Sequence, residues 1–215
     1  SHFVPDNIEG PQLGDTLYFH ITNLEQDWDV PHGFAMMGAQ NAELLLFWGC
    51  DQETTPWGWQ GQLPSRLSYW WSEIGIKQIY VCPDLNYAAA VHADRWIPVR
   101  PNTDAALYLA ITHRWFSKGT YDKEYLDTHA VGVDKYEAYV MGEEDGVEKS
   151  PEWAEPICGV PARVIKALAD EWASKRTTVV IGNGGPGIRG PYATEPARLQ
   201  GICLAMQGLG KPGQN

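Results

Sequence analysis

Three things are missing from this 215-residue sequence, and each absence excludes a class of protein. No apolar run approaches the ~20 residues that a membrane-crossing helix needs. There is no surplus of basic residues. With 16 Lys and Arg against 27 Asp and Glu, the net charge is −11, which argues against nucleic acid and anionic membrane surfaces, because phosphates are gripped by clustered Lys and Arg. Paired cysteines are also missing. Cys50, Cys82, Cys158 and Cys203 show neither CxxC spacing nor a His at zinc-ligand distance, and read as separate buried thiols. No secretion signal is recognisable, so the compartment is not legible. The chain starts at Ser1 without Met and stops at Asn215, which predicts a segment of a longer protein.

What is present is ordinary for a folded domain. A hydrophobic content of 44% suffices for a core without disulfide staples. Ten Trp and ten Tyr are in excess. They either fill that core or line a ligand channel or subunit interface.

Patterning divides the chain near residue 39. Before it, Thr16–Thr22 alternates as a strand after the Gly14-Asp15 turn, and Val30–Met37 suggests a second, so residues 1–38 read as a short β segment. After it the pattern is βαβα. Buried strands are expected at Glu43–Trp48, Gln78–Cys82 and Thr177–Ile181, with a short strand or extended link at Trp96–Val99. Helices are expected over Pro64–Ile74, from Asn102 or Thr103 as cap, in two pieces over Tyr121–Val140, from Ser150-Pro151, over Pro161–Ala173 and over Glu195–Leu209, with a helical turn at Ala88–Ala93. The fold class is α/β: a mostly parallel sheet with flanking helices, of the dinucleotide-binding kind, spanning residues 39–215.

In such a sheet a ligand lies across the carboxyl ends of the strands. Those ends are Gly49-Cys50-Asp51, Pro83-Asp84-Leu85-Asn86 and Gly182-Asn183-Gly184-Gly185. Glycines there either admit a phosphate close to backbone N–H groups or make plain turns. Asp84 follows the second strand, where a carboxylate can hold a ribose or a base edge. Asp104 is either a first-turn helix charge or an acceptor for a guanine N–H edge.

The text AELLLFWGCDQETTPWGW, IYVCPDLNYAAAVHADRWIPVRPNTDAALYLA and VVIGNGGPGIRGPYATEP resembles the large subunit of molybdopterin oxidoreductases of the dimethyl-sulfoxide-reductase family, most of all its pyrogallol–phloroglucinol transhydroxylase branch. The resemblance implies a bis-molybdopterin guanine dinucleotide cofactor with molybdenum in the parent enzyme. By position it implies Gly49, Cys50, Asp51 and Glu53 in a first cofactor loop, Pro83, Asp84 and Asn86 in a second, Asp104 on the guanine, and Gly182, Gly184 and Gly185 in a loop facing the active-site funnel. Arg189 and Tyr192 continue that loop as candidates for touching cofactor or substrate. The family's metal-ligand segment lies upstream and is absent here. The resemblance therefore implies a cofactor-holding segment whose partners are the rest of the large subunit and an iron–sulfur electron-transfer subunit, in a cytoplasmic or periplasmic prokaryotic enzyme acting on a small, phenolic substrate.

Residues 5–35, PDNIEGPQLGDTLYFHITNLEQDWDVPHGFA, resemble a different family, the copper A cupredoxin domain of nitrous oxide reductase. There the His of Asp29-Val30-Pro31-His32-Gly33-Phe34 would be a copper ligand, and electron transfer the alternative function. No CxxxC loop follows His32 to bridge two coppers, which favours a turn histidine without metal. The two resemblances together predict two joined fragments with a seam between Phe34 and Asn41. A purely structural α/β module is the third reading.

Overall fold

The computed structural model describes residues 41–54, 63–181, 192–211 and 214. The expected β segment over 1–38, His32, Gly182, Gly184, Gly185 and Arg189 lie outside the described residues.

Four strands, β1 (Leu44–Trp48), β2 (Lys77–Val81), β3 (Arg95–Ile97) and β4 (Thr177–Ile181), form one parallel sheet in the order β3-β2-β1-β4. The helices are α1 (Leu63–Glu73), α2 (Tyr87–His92), α3 (Asp104–Lys118), α4 (Lys123–His129), α5 (Val133–Val140), α6 (Pro151–Cys158), α7 (Ala162–Ser174) and α8 (Thr194–Met206).

The unbroken apolar run of β1 reflects its place in the sheet. A central parallel strand is covered on both faces, so each residue meets a core whichever way its side chain points. Leu44, Leu46 and Trp48 join Ile79, Val81, Ile97 and Val179 in the larger core, with α3, α6, α7 and α8. Leu45 and Phe47 join Tyr80 and Val180 in a smaller core under α1 and α2, where Phe47 stacks on Tyr80 at 4.4 Å.

Helix α3 is the axis of the larger core. Leu107, Tyr108, Ile111 and Trp115 are fully buried along it. Trp115 donates to the Ala169 carbonyl at 2.8 Å and meets Trp172 edge-on at 5.1 Å, which docks α7. Arg114 adds a two-pronged pair to Asp170 (3.0 and 2.9 Å) at the rim. The helix stops at Gly119, whose left-handed φ of 65° lets its N–H turn back to Phe116 O.

The start of α3 differs from expectation. Thr103 occupies the cap position but makes no capping bond; its Oγ1 donates to Arg100 O at 2.7 Å. Asn102 takes a left-handed φ of 62°. The turn is held instead from outside, by Arg100 donating to the carbonyls of Pro156 and Ile157 at the end of α6. Helix α8 ends three residues earlier than the periodicity suggests, and Ile74 falls just beyond α1, 45% exposed.

Candidate functional site at the carboxyl edge of the sheet

In the order β3-β2-β1-β4 the chain reverses direction of travel across the sheet at β1, so the crevice for a ligand lies at the carboxyl ends of β1 and its neighbours. Trp48 is in register with both Val81 and Ile181. The loops after β1, β2 and β4 therefore start at one edge, with the β1 loop in the middle. The third loop itself lies outside the described residues.

Loop 1 leaves the sheet through Gly49, whose φ of 60° is left-handed and whose N–H bonds Val81 O at 2.9 Å. The turn beyond Gly49 is locked. Asp51 Oδ1 accepts from the backbone N–H groups of Glu53, Thr54 and Ala88 at 3.1, 3.2 and 3.3 Å, and its Oδ2 accepts from Thr54 Oγ1 at 2.6 Å. Glu53 Oε1 lies 2.6 Å from His92 Nε2. Cys50 is buried, with its thiol donating to Gln52 Oε1 at 3.5 Å and its carbonyl accepting from Asn86 Nδ2 at 3.1 Å. Burial pushes the Cys50 thiol far up, helped by the nearby Asp51 carboxylate.

Loop 2 is tied to the same unit. Asn86 caps α2 through Oδ1, which accepts from Ala89 N at 2.9 Å, while its other end holds Cys50. Pro83 and Asp84 are exposed, and the Asp84 carbonyl accepts from Cys82 Sγ at 3.2 Å. Burial pushes the Cys82 thiol up to about 11.

Beneath the loops runs a chain of polar side chains, buried at Gln52, Ser68, Gln78 and Tyr80 and reaching the surface at Ser72, that sequence reasoning did not single out. Gln52, 2% exposed, donates from Nε2 to Ser68 Oγ (2.8 Å) and Tyr80 Oη (2.6 Å). Tyr80 donates weakly to Gln78 Oε1 (3.4 Å), and Gln78 Nε2 donates to Ser72 Oγ (2.9 Å). Ser72 Oγ is 3.4 Å from His92 Nδ1, and His92 returns to Glu53. The available signal was Gln78 and Tyr80, two positions apart on one strand and hence on one face.

The other candidates stand apart. Asp104 is only 4% exposed, and Trp48 Nε1 donates to its Oδ1 at 2.8 Å. Burial raises its carboxyl above the usual range, against the lowering effect of the Trp48 bond. Trp48 also stacks on Tyr108 at 3.9 Å, so the carboxylate faces the core and joins β1 to α3. Tyr192 is 85% exposed at a left-handed φ of 59°, just before α8.

A cleft of about 370 Å³ opens at the opposite, amino edge, lined by Ser72, Ile76, Gln78, Val91, His92 and Asp94. An open parallel sheet does not place its ligand there. Among the described residues no group of three or more His, Cys, Asp or Glu could hold a metal ion, and no helix is long and apolar enough to cross a membrane.

No protein-family model matches the chain. It is similar to the pyrogallol hydroxytransferase large subunit of Pelobacter acidigallici, 34% identical over 216 residues, covering 98% of this chain and 24% of that protein. A trimethylamine-N-oxide reductase of Haemophilus influenzae is 33% identical over 179 residues, 81% of this chain and 21% of the relative. In fold, the acetylene hydratase from Pelobacter acetylenicus matches with a TM-score of 0.64 at 22% identity, over 82% of this chain and 23% of that one. The chain thus spans between a fifth and a quarter of the length of these relatives. The cupredoxin resemblance and the copper role of His32 find no support. One relative aligns over 98% of the chain, which leaves no separate stretch for a copper-protein fragment. The homologues of this chain are molybdopterin-dependent oxidoreductases and transhydroxylases of the dimethyl-sulfoxide-reductase family.

Proposed function

We propose that this chain is the part of a molybdopterin-enzyme large subunit that holds the cofactor's dinucleotide along the carboxyl edge of the sheet, and not the part that ligates the metal. One observation carries the reading. Two loops at adjacent strand ends, the first on the strand that borders the reversal point of the sheet, are locked into one unit by Asn86 reaching Cys50 O, with left-handed Gly49 at its root. A glycine there leaves room for a phosphate against the main chain.

The residues fit the group unevenly. Gly49 and the exposed Pro83-Asp84 suit a dinucleotide, and Asp84 offers a carboxylate to a ribose or guanine edge. Asp104 does not suit that role, because its carboxylate is buried against Trp48; of its two readings we infer the structural one. Gly182, Gly184, Gly185, Arg189 and Tyr192 remain candidates for the third side of the site. When bound, molybdopterin supplies a molybdenum centre able to exchange electrons and oxygen with a substrate. The chain's own groups bind and orient it. We take the guanine dinucleotide as its form, a small phenolic compound as the substrate of the whole enzyme, and the rest of the large subunit and an iron–sulfur subunit as its partners. That P. acidigallici relative is itself a large subunit acting on pyrogallol. Residues 39–215 form the α/β unit in this reading, with 1–38 as a β segment of the same large subunit.

The test is thermal unfolding with added molybdopterin guanine dinucleotide. Ligand at about a hundredfold its Kd stabilises by about 2.7 kcal/mol. An unmoved unfolding temperature at saturation would sink the proposal, and equal stabilisation by the cytosine dinucleotide would remove guanine from it.

A further inference from the structure

Four candidate cofactor residues come directly after β1 in sequence, and the side chains of Asp51 and Glu53 among them, and of Gln52 between these two, are already engaged. An ionised carboxylate offers about four lone-pair positions. Asp51 accepts four hydrogen bonds, three from backbone N–H groups and one from Thr54 Oγ1. Its Oδ1 is saturated by the three N–H groups and its Oδ2 is held by Thr54, so the carboxylate is fixed in orientation by its own turn and by α2. Gln52 is buried with both amide hydrogens given away, to Ser68 and Tyr80. Glu53 is engaged by His92, whose side chain is 4% exposed.

Among the described residues, the clamps on Cys50, Asp51 and Glu53 from outside the loop come from one short helix and its cap. Asn86 holds Cys50 O, the Ala88 N–H holds Asp51, and His92 holds Glu53. His92 is in turn 3.4 Å from the exposed Ser72 on α1, from which the polar chain leads through Gln78 and Tyr80 back to Gln52. The loop is gripped at both ends of one closed circuit.

We propose that Asp51, Gln52 and Glu53 are positioning residues that shape the loop 1 main chain for the dinucleotide without touching it through their side chains, and that His92 is the clasp by which α2 enforces that shape. The inference rests on the cofactor reading above. It assigns to His92 and Gln52 roles that loop position alone would not give them. A His–Glu bond within a coupled network is worth a measurable share of the loop's order.

The experiment uses the complete large subunit that carries this segment. Dinucleotide affinity of the cofactor-free protein is measured for His92→Ala, Glu53→Ala, the double variant, and the conservative His92→Gln and Glu53→Gln. Amide exchange at Glu53, Thr54 and Ala88 is monitored in the same proteins without cofactor. Each alanine variant is expected to weaken binding about tenfold, and the double variant no more than either, because the two share one interaction. Exchange at the three amides should quicken by a similar factor. Glutamine at either position restores both readouts, since it can still donate to, or accept from, the remaining partner. If Glu53→Gln weakens binding as much as Glu53→Ala, the carboxylate touches the cofactor and the proposal is wrong. Unchanged amide exchange in His92→Ala also overturns it. If the unaltered subunit binds no dinucleotide, the cofactor reading fails by itself, and the exchange data still decide whether His92 orders the loop.

Discussion

Asp104 separates two accounts of the same residue, and its substitutions give opposite results under each. In the structure it sits in the first turn of α3, 4% exposed, with Trp48 Nε1 as donor. A helix N-terminus favours its charge by roughly 0.3–1 kcal/mol. Removing a carboxylate from water costs several kcal/mol, so burial wins and the carboxyl is raised above its usual value of 3.8. A group raised in the folded state holds its proton longer there than in the unfolded chain. Its contribution is complete below about pH 4 and is lost as pH climbs through the folded value. Asp104→Asn keeps an oxygen for Trp48 and carries no charge. It should match the parent protein near pH 3 and exceed it in stability at pH 7. Asp104→Ala instead strands the buried indole N–H, at a cost of about 1–3 kcal/mol. In a chain of this length that lowers the unfolding temperature by roughly 2–12 °C. Urea unfolding from pH 3 to pH 8, tracked by tryptophan fluorescence, measures all three proteins. An Asn variant that grows less stable than the parent as pH rises would refute the burial argument. An Ala variant of unchanged stability that no longer binds dinucleotide would return Asp104 to the guanine.

Other consequences can be checked directly. Trp172→Ala empties a fully buried position against Trp115 and should cost about 3–5 kcal/mol in denaturant midpoint analysis. Arg114→Ala removes the principal bond that holds Asp170 down at about 2. Because both groups are partly exposed, the loss stays below about 1 kcal/mol; a depressed carboxylate contributes above its unfolded value, so the difference between variant and parent closes as pH falls from about 4 through 2. Gly159→Ala forces a side chain into a φ of 76° with its Cβ 3.1 Å from Arg100 Nε, and calorimetry should show a loss of about 1–2 kcal/mol. Cys50 and Cys82 should resist iodoacetamide at pH 8 in the folded protein and react after unfolding, read by mass spectrometry, because burial holds both thiols protonated.

The strands and most helices were legible because their signals are local. Leu44–Trp48 could only be a strand covered on both faces, and Thr177–Ile181 repeats its buried character with β-branched residues. Ser150-Pro151 announced α6, and the Ser150 side chain does accept from Trp153 N. The site was less legible. Asp51 and Glu53 look like outward ligands because polar loop residues usually face water, yet a tight turn can consume them. Whether it does depends on what lies across the fold, here Ala88 and His92. Asp104 poses the same difficulty. Sequence places it in the first turn, and only the packing of α3 against β1 turns it inward. The cupredoxin resemblance failed for another reason: the short motif around His32 matches without the thiolates that give such a motif its chemistry.

The central position of β1 has a consequence for how the protein is made. Its partner β2 arrives soon, but β4 on its other flank comes far later. The bond from Arg176 N to Glu43, at the foot of these two strands, spans 133 positions. At about 5–20 residues per second, a ribosome takes roughly 7–27 s to cover that interval. Throughout it, one edge of a fully apolar strand has no partner of its own. Unpaired edges of this kind recruit other chains. The arrangement that places loop 1 at the middle of the carboxyl edge therefore leaves one edge of β1 open to wrong partners until Thr177–Ile181 arrives.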